Sequence, residues 1–138
     1  MKNNQLMIYG AYGYAGELMV REAVAQGLRP IIAGRDDEKL KPIATELSLE
    51  CRAFGVRNTG SNLQDISVLL NCAGPFSATA EPLARACLAQ QIHYLDITGE
   101  IDIFRKCHAL DEEARQQNVL ILPGAGTDIV PTDCLAAD

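Results

Sequence analysis

Apolar residues in this chain fall into short continuous runs, separated by stretches where they recur at helical spacing. Leu6-Met7-Ile8-Tyr9 ends at Gly10 and predicts a first strand. From Tyr14 to about Gln26 the spacing predicts a helix, with Ala15, Leu18, Met19 and Ala23 on one side. Glu17 and Arg21 form an i,i+4 pair on the other side, and Gly27 closes the helix. Pro30-Ile31-Ile32-Ala33 predicts a second strand. Leu40, Ile43, Ala44 and Leu47 then give the i, i+3, i+4, i+7 stripe of an amphipathic helix, with Asp36 placed to cap it. Pro42 is awkward inside that helix unless it falls in the first turn or kinks it. Between Cys51 and Leu63 the pattern is least regular, and Arg52 to Val56 is the best third strand. Val68-Leu69-Leu70-Asn71 predicts a fourth strand, followed by a helix from near Pro82 to Gln90. His93-Tyr94-Leu95-Asp96 predicts a fifth strand. Ile103, Cys107, Leu110 and Ala114 mark one more helix, and Val119 to Leu122 a sixth strand. Regular alternation of apolar strands with helices predicts an α/β fold, a doubly wound parallel sheet covered on both faces in three α/β/α layers.

The loop after the first strand gives that fold a chemistry. Gly10-Ala11-Tyr12-Gly13-Tyr14-Ala15-Gly16 is a G-x-x-G-x-x-G pattern that opens a helix. Gly10 lets the chain turn sharply out of the strand. Gly13 presents bare backbone to a pyrophosphate, and Gly16 allows the helix to pack closely on the sheet. The unpaired N–H groups and positive dipole end of the helix then face the phosphates. Such a glycine pattern alone is equally a tight strand-to-helix turn. Its place at the start of an alternating fold favours dinucleotide binding and the NAD(P)-binding Rossmann fold over residues 1–122.

The end of the second strand selects the dinucleotide. An NAD site places Asp or Glu there for the ribose hydroxyls, whereas this chain has Ala33-Gly34-Arg35. Arg35 can pair with a 2′-phosphate through two N–H groups and stack on adenine, and Lys39 adds a second charge one helical turn on. The expected cofactor is therefore NADP(H). Asp36 and Asp37 would repel a phosphate if they faced it, and are expected to cap the helix instead. After the fourth strand, the small residues Ala73 and Gly74 are expected to let the ribose and nicotinamide side of the cofactor lie against backbone, with an ordinary Gly-Pro turn as the alternative. Asp96 and Glu100, and Asp128 after the sixth strand, lie at the same rim. They serve as well for caps and turns as for orienting substrate or partner loops, so no catalytic residue is assigned. No Tyr-x-x-x-Lys pair and no Gly-x-x-x-x-Gly-Lys-Ser/Thr loop follow the glycine motif, which excludes short-chain-dehydrogenase acid–base chemistry and a P-loop nucleotidase.

Charge and cysteine usage narrow the partners. A net charge of −6 opposes a nucleic-acid surface, which needs a basic patch. The five cysteines form no C-x-x-C pair and lie far from the two histidines in sequence. They read as reduced, hydrophobic thiols in a cytoplasmic protein, with no zinc site and no other metal. No apolar run reaches the ~18 residues of a membrane span, and the polar start running into a strand does not read as a signal peptide.

Several of these motifs together resemble the saccharopine dehydrogenase-like family, in the branch with trans-acting enoyl reductases. They are the glycine loop with Tyr14 before Ala15-Gly16, Ala33-Gly34-Arg35, Asn71-Cys72-Ala73-Gly74-Pro75-Phe76, Tyr94-Leu95-Asp96-Ile97-Thr98-Gly99-Glu100 and Pro123-Gly124-Ala125-Gly126. The likeness covers essentially the whole chain. It implies an NADP(H)-binding domain followed by a larger α/β domain that shapes the substrate site and often mediates dimerisation, so a homo-oligomer acting on a small molecule is expected. Carried onto this chain, it implies that Gly10, Gly13, Tyr14, Ala15 and Gly16 cradle the pyrophosphate, that Arg35 holds the 2′-phosphate, and that Ala73, Gly74 and Pro75 border the nicotinamide ribose. Tyr12, also a candidate cofactor contact, stands where the family commonly has a small hydroxyl residue. Residues 123–138 are expected to open a truncated second domain, because Val130 to Leu135 reads as the start of another helix. A short relative without its own substrate site is the less favoured reading. The function implied is NADP(H)-dependent reduction of an enoyl, imine or carbonyl group, with a non-catalytic NADP(H)-sensing module as the alternative.

Overall fold

The computed structural model describes residues 4–126 and 129–137. Six parallel strands build one sheet in the order β3-β2-β1-β4-β5-β6. They are β1 (Leu6–Tyr9), β2 (Ile31–Gly34), β3 (Cys51–Ala53), β4 (Val68–Asn71), β5 (His93–Asp96) and β6 (Ile121–Leu122). The helices are α1 (Tyr14–Ala25), α2 (Asp37–Leu47), α3 (Phe76–Ala89), α4 (Ile101–His108), α5 (Asp111–Gln116) and α6 (Val130–Ala137). This is the doubly wound Rossmann arrangement anticipated from the alternation.

Successive strand residues point to opposite faces and feed two cores. Met7, Tyr9, Leu69 and Tyr94 join Leu83 and Cys87 of α3 and Ile103 of α4. Ile8 and Ile32 join Val20 and Ala23 of α1 and Leu40 and Ile43 of α2 on the other face. The chain thus leaves β1 toward one layer and the adjacent β4 toward the other. That divergence opens a crevice above the Tyr9–Asn71 pair, at the carboxyl ends of the strands.

Asp36 caps α2 by accepting hydrogen bonds from Glu38 N–H (3.0 Å) and Lys39 N–H (3.3 Å), as the sequence suggested. Pro42 lies inside α2, whose stripe of Leu40, Ile43 and Ala44 is buried; side-chain packing carries the helix past the missing donor.

Four details differ from the sequence reading. The buried face of α1 is Gly16, Val20 and Ala23, while Leu18 is exposed, because the fit of Gly16 against the β1 turn sets the helix's rotation. Helix α3 starts at Phe76, not near Pro82, because Ala80, Leu83, Ala84 and Cys87 keep one continuous buried stripe through the proline. The single helix expected over Ile103 to Ala114 is two, broken at Ala109 and Leu110, although all four marker residues are buried. Strands β3 and β6 are shorter than expected, and only a 3-10 turn (Gly60–Leu63) fills the crossover between β3 and β4. Helix α6 is exposed along its length.

Candidate functional site

Strand β1 ends where Gly10 takes φ +82°, and its N–H donates to Ala33 O across the sheet (2.8 Å). A Cβ at Gly10 would lie 2.7 Å from Ala73 N, so this glycine is required both by backbone conformation and by the approach of the β4 loop. A Cβ at Gly16 would collide with the carbonyl oxygen of Gly10, so the first turn of α1 rests directly on the β1 turn. Gly13 is different. It is the exposed N-cap of α1, and its only near neighbour is Gly10 O at 3.4 Å. The space above it is open, as a loop needs if it is to take a phosphate onto the bare helix N-terminus. No side chain caps that end of α1.

Arg35 emerges exposed from the end of β2 and makes no hydrogen bond or ion pair with any described residue. Beside it, the Tyr12 ring lies against Gly34, where a Cβ would stand 2.6 Å from the ring. Lys39 Nζ sits over the same ring, 5.5 Å from its centroid, and 4.0 Å from Asp36 Oδ2. Arg35, Tyr12 and Lys39 line an open groove that also takes in Asp36, Asp37 and Glu38. The acidic residues are engaged elsewhere: Asp36 caps α2, and Asp37 and Glu38 pair with Lys41 at 2.7 and 3.0 Å. The unpaired guanidinium is the group left to receive an anion.

Between the glycine loop and the β4 loop runs a cleft of about 250 Å³, lined by Gly10, Tyr12, Gly13 and Arg35 on one side and Ala73, Gly74 and Pro75 on the other. Ala15 and Tyr14 lie instead along α1, in a separate shallow apolar groove with Leu18 and Ile97, so only their backbones are placed to serve the phosphate end. An open glycine, an uncapped helix start, an unpaired arginine and a bare β4 loop converge on one crevice. That donor set fits a dinucleotide with a 2′-phosphate. Among the described residues no cluster of His, Cys, Asp or Glu could hold a metal, and no helix is long and apolar enough to cross a membrane.

The sequence profile of the Saccharopine dehydrogenase NADP binding domain matches residues 6–122. The chain belongs to this family. Its cofactor is NADP(H), as expected. A saccharopine dehydrogenase-like oxidoreductase of Rattus norvegicus is 27% identical over 94% of this chain and 35% of its own length. A Mycobacterium tuberculosis protein named as a trans-acting enoyl reductase is 27% identical over 93% of this chain and 33% of its own. The chain thus spans about a third of the curated relatives it matches. Among solved structures, saccharopine dehydrogenase (L-Glu forming) of Saccharomyces cerevisiae superposes with a TM-score of 0.76 at 12% identity, over 91% of this chain and 28% of that one. That likeness is one of fold.

A buried polar network behind the cleft was not anticipated. Asn71 and Asp96 pair in register at the ends of β4 and β5 and are fully buried. Asn71 Nδ2 donates to Thr79 Oγ1 and to Tyr94 OH, both at 3.1 Å, and Tyr94 OH donates to Asp96 Oδ2 at 2.8 Å. Ala73 is gripped at both backbone groups: its N–H donates to Asn71 Oδ1 (3.0 Å) and its carbonyl accepts from Thr79 Oγ1 (2.6 Å). At the far end Asp96 Oδ1 accepts from Thr98 N–H (3.1 Å) and Gly124 N–H (2.9 Å). Asp96 is therefore a turn-former, one of the two roles its position allowed. Glu100 is the N-cap residue of α4 and makes no side-chain capping bond; Asp128 lies outside the described residues. The available signal was a polar residue, Asn71 and Asp96, closing each of the two strands.

Burial also quietens the thiols and phenols near the cleft. Cys72 is pushed up to about 12 by burial and then by the Asp96 carboxylate, so it stays a thiol at neutral pH. Tyr9 is pushed up to about 12, chiefly by burial, and donates to Phe54 O at 2.9 Å. Tyr94 is raised further, by burial first and Asp96 second, and so remains a donor.

Proposed function

We propose that this chain supplies the NADP(H) site of an oxidoreductase that moves a hydride between the nicotinamide and a small or acyl-type substrate bearing a C=C, C=N or C=O bond. The observation that carries the reading is the unpaired Arg35 guanidinium beside an open glycine loop at the mouth of the cleft. In this reading Arg35 holds the 2′-phosphate, Gly13 and the N–H groups opening α1 hold the pyrophosphate, and Ala73 to Pro75 form a wall for the nicotinamide ribose. The bound dinucleotide supplies the hydride. The residues lining the cleft include no carboxylate, imidazole or amine. In this reading the chain's contribution is binding and orientation of the dinucleotide. The names of the relatives support the reaction class, and the net charge of −6 supports a small-molecule partner over a nucleic acid. Free thiols support a reducing, cytoplasmic setting.

The test is NADPH consumption followed at 340 nm, using the longest natural form of the protein and a panel of enoyl thioesters, imines and ketones. Consumption with one class establishes the oxidoreductase. Saturable NADPH binding without consumption across the panel favours the sensing module.

A further inference from the structure

Asn71, Tyr94 and Asp96 lie fully buried behind the cofactor cleft and line none of its surface; of the residues bonded to them, Thr79 reaches it. Buried polar groups are retained at a cost unless they are fully bonded, and no buried side-chain nitrogen or oxygen among the described residues lacks a partner. The network also has one direction. Asp96 accepts from two backbone N–H groups and can only accept from Tyr94, so Tyr94 OH must donate to it. Tyr94 OH must then accept from Asn71 Nδ2, which turns Asn71 Oδ1 toward Ala73 N–H. Thr79, receiving the second Asn71 N–H, is left to donate to Ala73 O. The orientation of every group down to the Ala73 peptide is thereby set from Asp96. Ala73 is the residue packed against Gly10, with no room for a methyl group between them. At its other end the same carboxylate holds Gly124 of the loop after β6, and Asp96 O accepts from Ala125 N–H at 2.7 Å.

We propose that Tyr94 and Asp96 are positioning residues for the nicotinamide end of the cofactor: acting through Asn71 and Thr79, they fix the Ala73–Pro75 wall relative to the glycine loop without touching the ligand. The inference rests on the cofactor reading above and names which part of that site it controls. It separates the two ends of the dinucleotide. The adenosine 2′-phosphate end is bounded by Arg35, Tyr12 and Lys39, none of which hydrogen-bonds to the network.

The experiment compares the affinity of NADPH with that of adenosine 2′,5′-bisphosphate, which carries only the Arg35-side half. Both are titrated into the wild-type chain, Tyr94→Phe, Thr79→Val and Thr79→Ser, with the melting temperature of each recorded. The expected result is about tenfold weaker NADPH binding in Tyr94→Phe and Thr79→Val, with the bisphosphate unchanged and Thr79→Ser restoring the wild-type ratio. A purely structural role would lower the melting temperature while moving both affinities together or neither, and either pattern overturns the proposal. Should Tyr94→Phe not fold, Asp96→Asn, which removes the carboxylate that Tyr94 OH donates to and lines no part of the cleft, decides the matter with the same two ligands. Failure of the wild-type chain to bind NADPH refutes the cofactor reading, and the positioning role with it; NADPH binding with an unmoved ratio refutes only the positioning role.

Discussion

Gly13 and Gly16 are three residues apart in one loop, and the structure assigns them opposite penalties. At Gly16 a Cβ would collide with Gly10 O and stand 2.8 Å from Gly10 C and 3.1 Å from Ala11 Cα. All three neighbours are backbone, so Gly16→Ala must lift α1 off the β1 turn. Overpacking of this kind costs about 1–3 kcal/mol, and alanine's better helix propensity offsets up to ~1 kcal/mol of it. A net loss of about 1–2 kcal/mol corresponds to a fall of roughly 3–10 °C in melting temperature for a chain of this length. Gly13 has φ −74° and ψ 165°, a conformation open to any residue, and meets only Gly10 O at 3.4 Å. Gly13→Val should cost about 1 kcal/mol or less, from the poorer N-cap, while its isopropyl group covers the N–H groups that the proposed site offers to the pyrophosphate. Thermal melts by circular dichroism and NADPH titration read the two effects separately. Gly13→Val is expected to keep its fold and lose binding, and Gly16→Ala to lose stability. A Gly16→Ala variant that melts with the wild type, or a Gly13→Val variant that binds NADPH normally, would refute the assignment.

Further expectations concern charge and protonation. Asp36→Ala removes the α2 cap and should cost about 1 kcal/mol in urea unfolding, without weakening NADPH binding, because it also removes a negative charge beside Arg35. Cys72, Cys87 and Cys107 are pushed up by burial to about 12, 12 and 11, from an ordinary value near 9. The folded state therefore keeps thiol protons that the unfolded state releases. Their stabilising contribution is full below about pH 9 and is lost as pH rises toward 12, so the urea midpoint at pH 10 should lie below that at pH 8; an unchanged midpoint contradicts the burial account. With a thiol reagent at pH 8, exposed Cys134 should react fast and these three only on unfolding.

The strand and helix layers were legible because both cores are built from local patterns: apolar runs for the strands and i, i+3, i+4 stripes for α2 and α3. The place of the glycine loop and Arg35 at the crevice was legible because each directly follows the end of a strand. What the sequence hid depends on contacts between segments. The rotation of α1 follows from Gly16 meeting Gly10, not from its most hydrophobic stripe, which would have buried Leu18. Pro82 suggested a helix start, yet Phe76 to Glu81 already pack as helix, since Ala80 continues the buried stripe backwards. Asn71 and Asp96 each close a strand, but that they join Tyr94 in one network could not be read from the sequence, because its members come from two strands and meet only through the β4–β5 register. Tyr12, a departure from a small residue, finds its place in the gap left by Gly34, a pairing no single-segment pattern could indicate.

The central claim is that an unpaired Arg35 reads the 2′-phosphate, and parallel fluorescence titrations of NADPH and NADH into wild-type and Arg35→Ala protein test it most directly. A charge-assisted hydrogen bond contributes about 1.5–3 kcal/mol, so wild-type protein should bind NADPH roughly 10- to 100-fold more tightly than NADH, and Arg35→Ala should abolish that preference while leaving NADH affinity unchanged. Equal affinity for the two dinucleotides in the wild type, or a preference that survives in Arg35→Ala, would contradict the account.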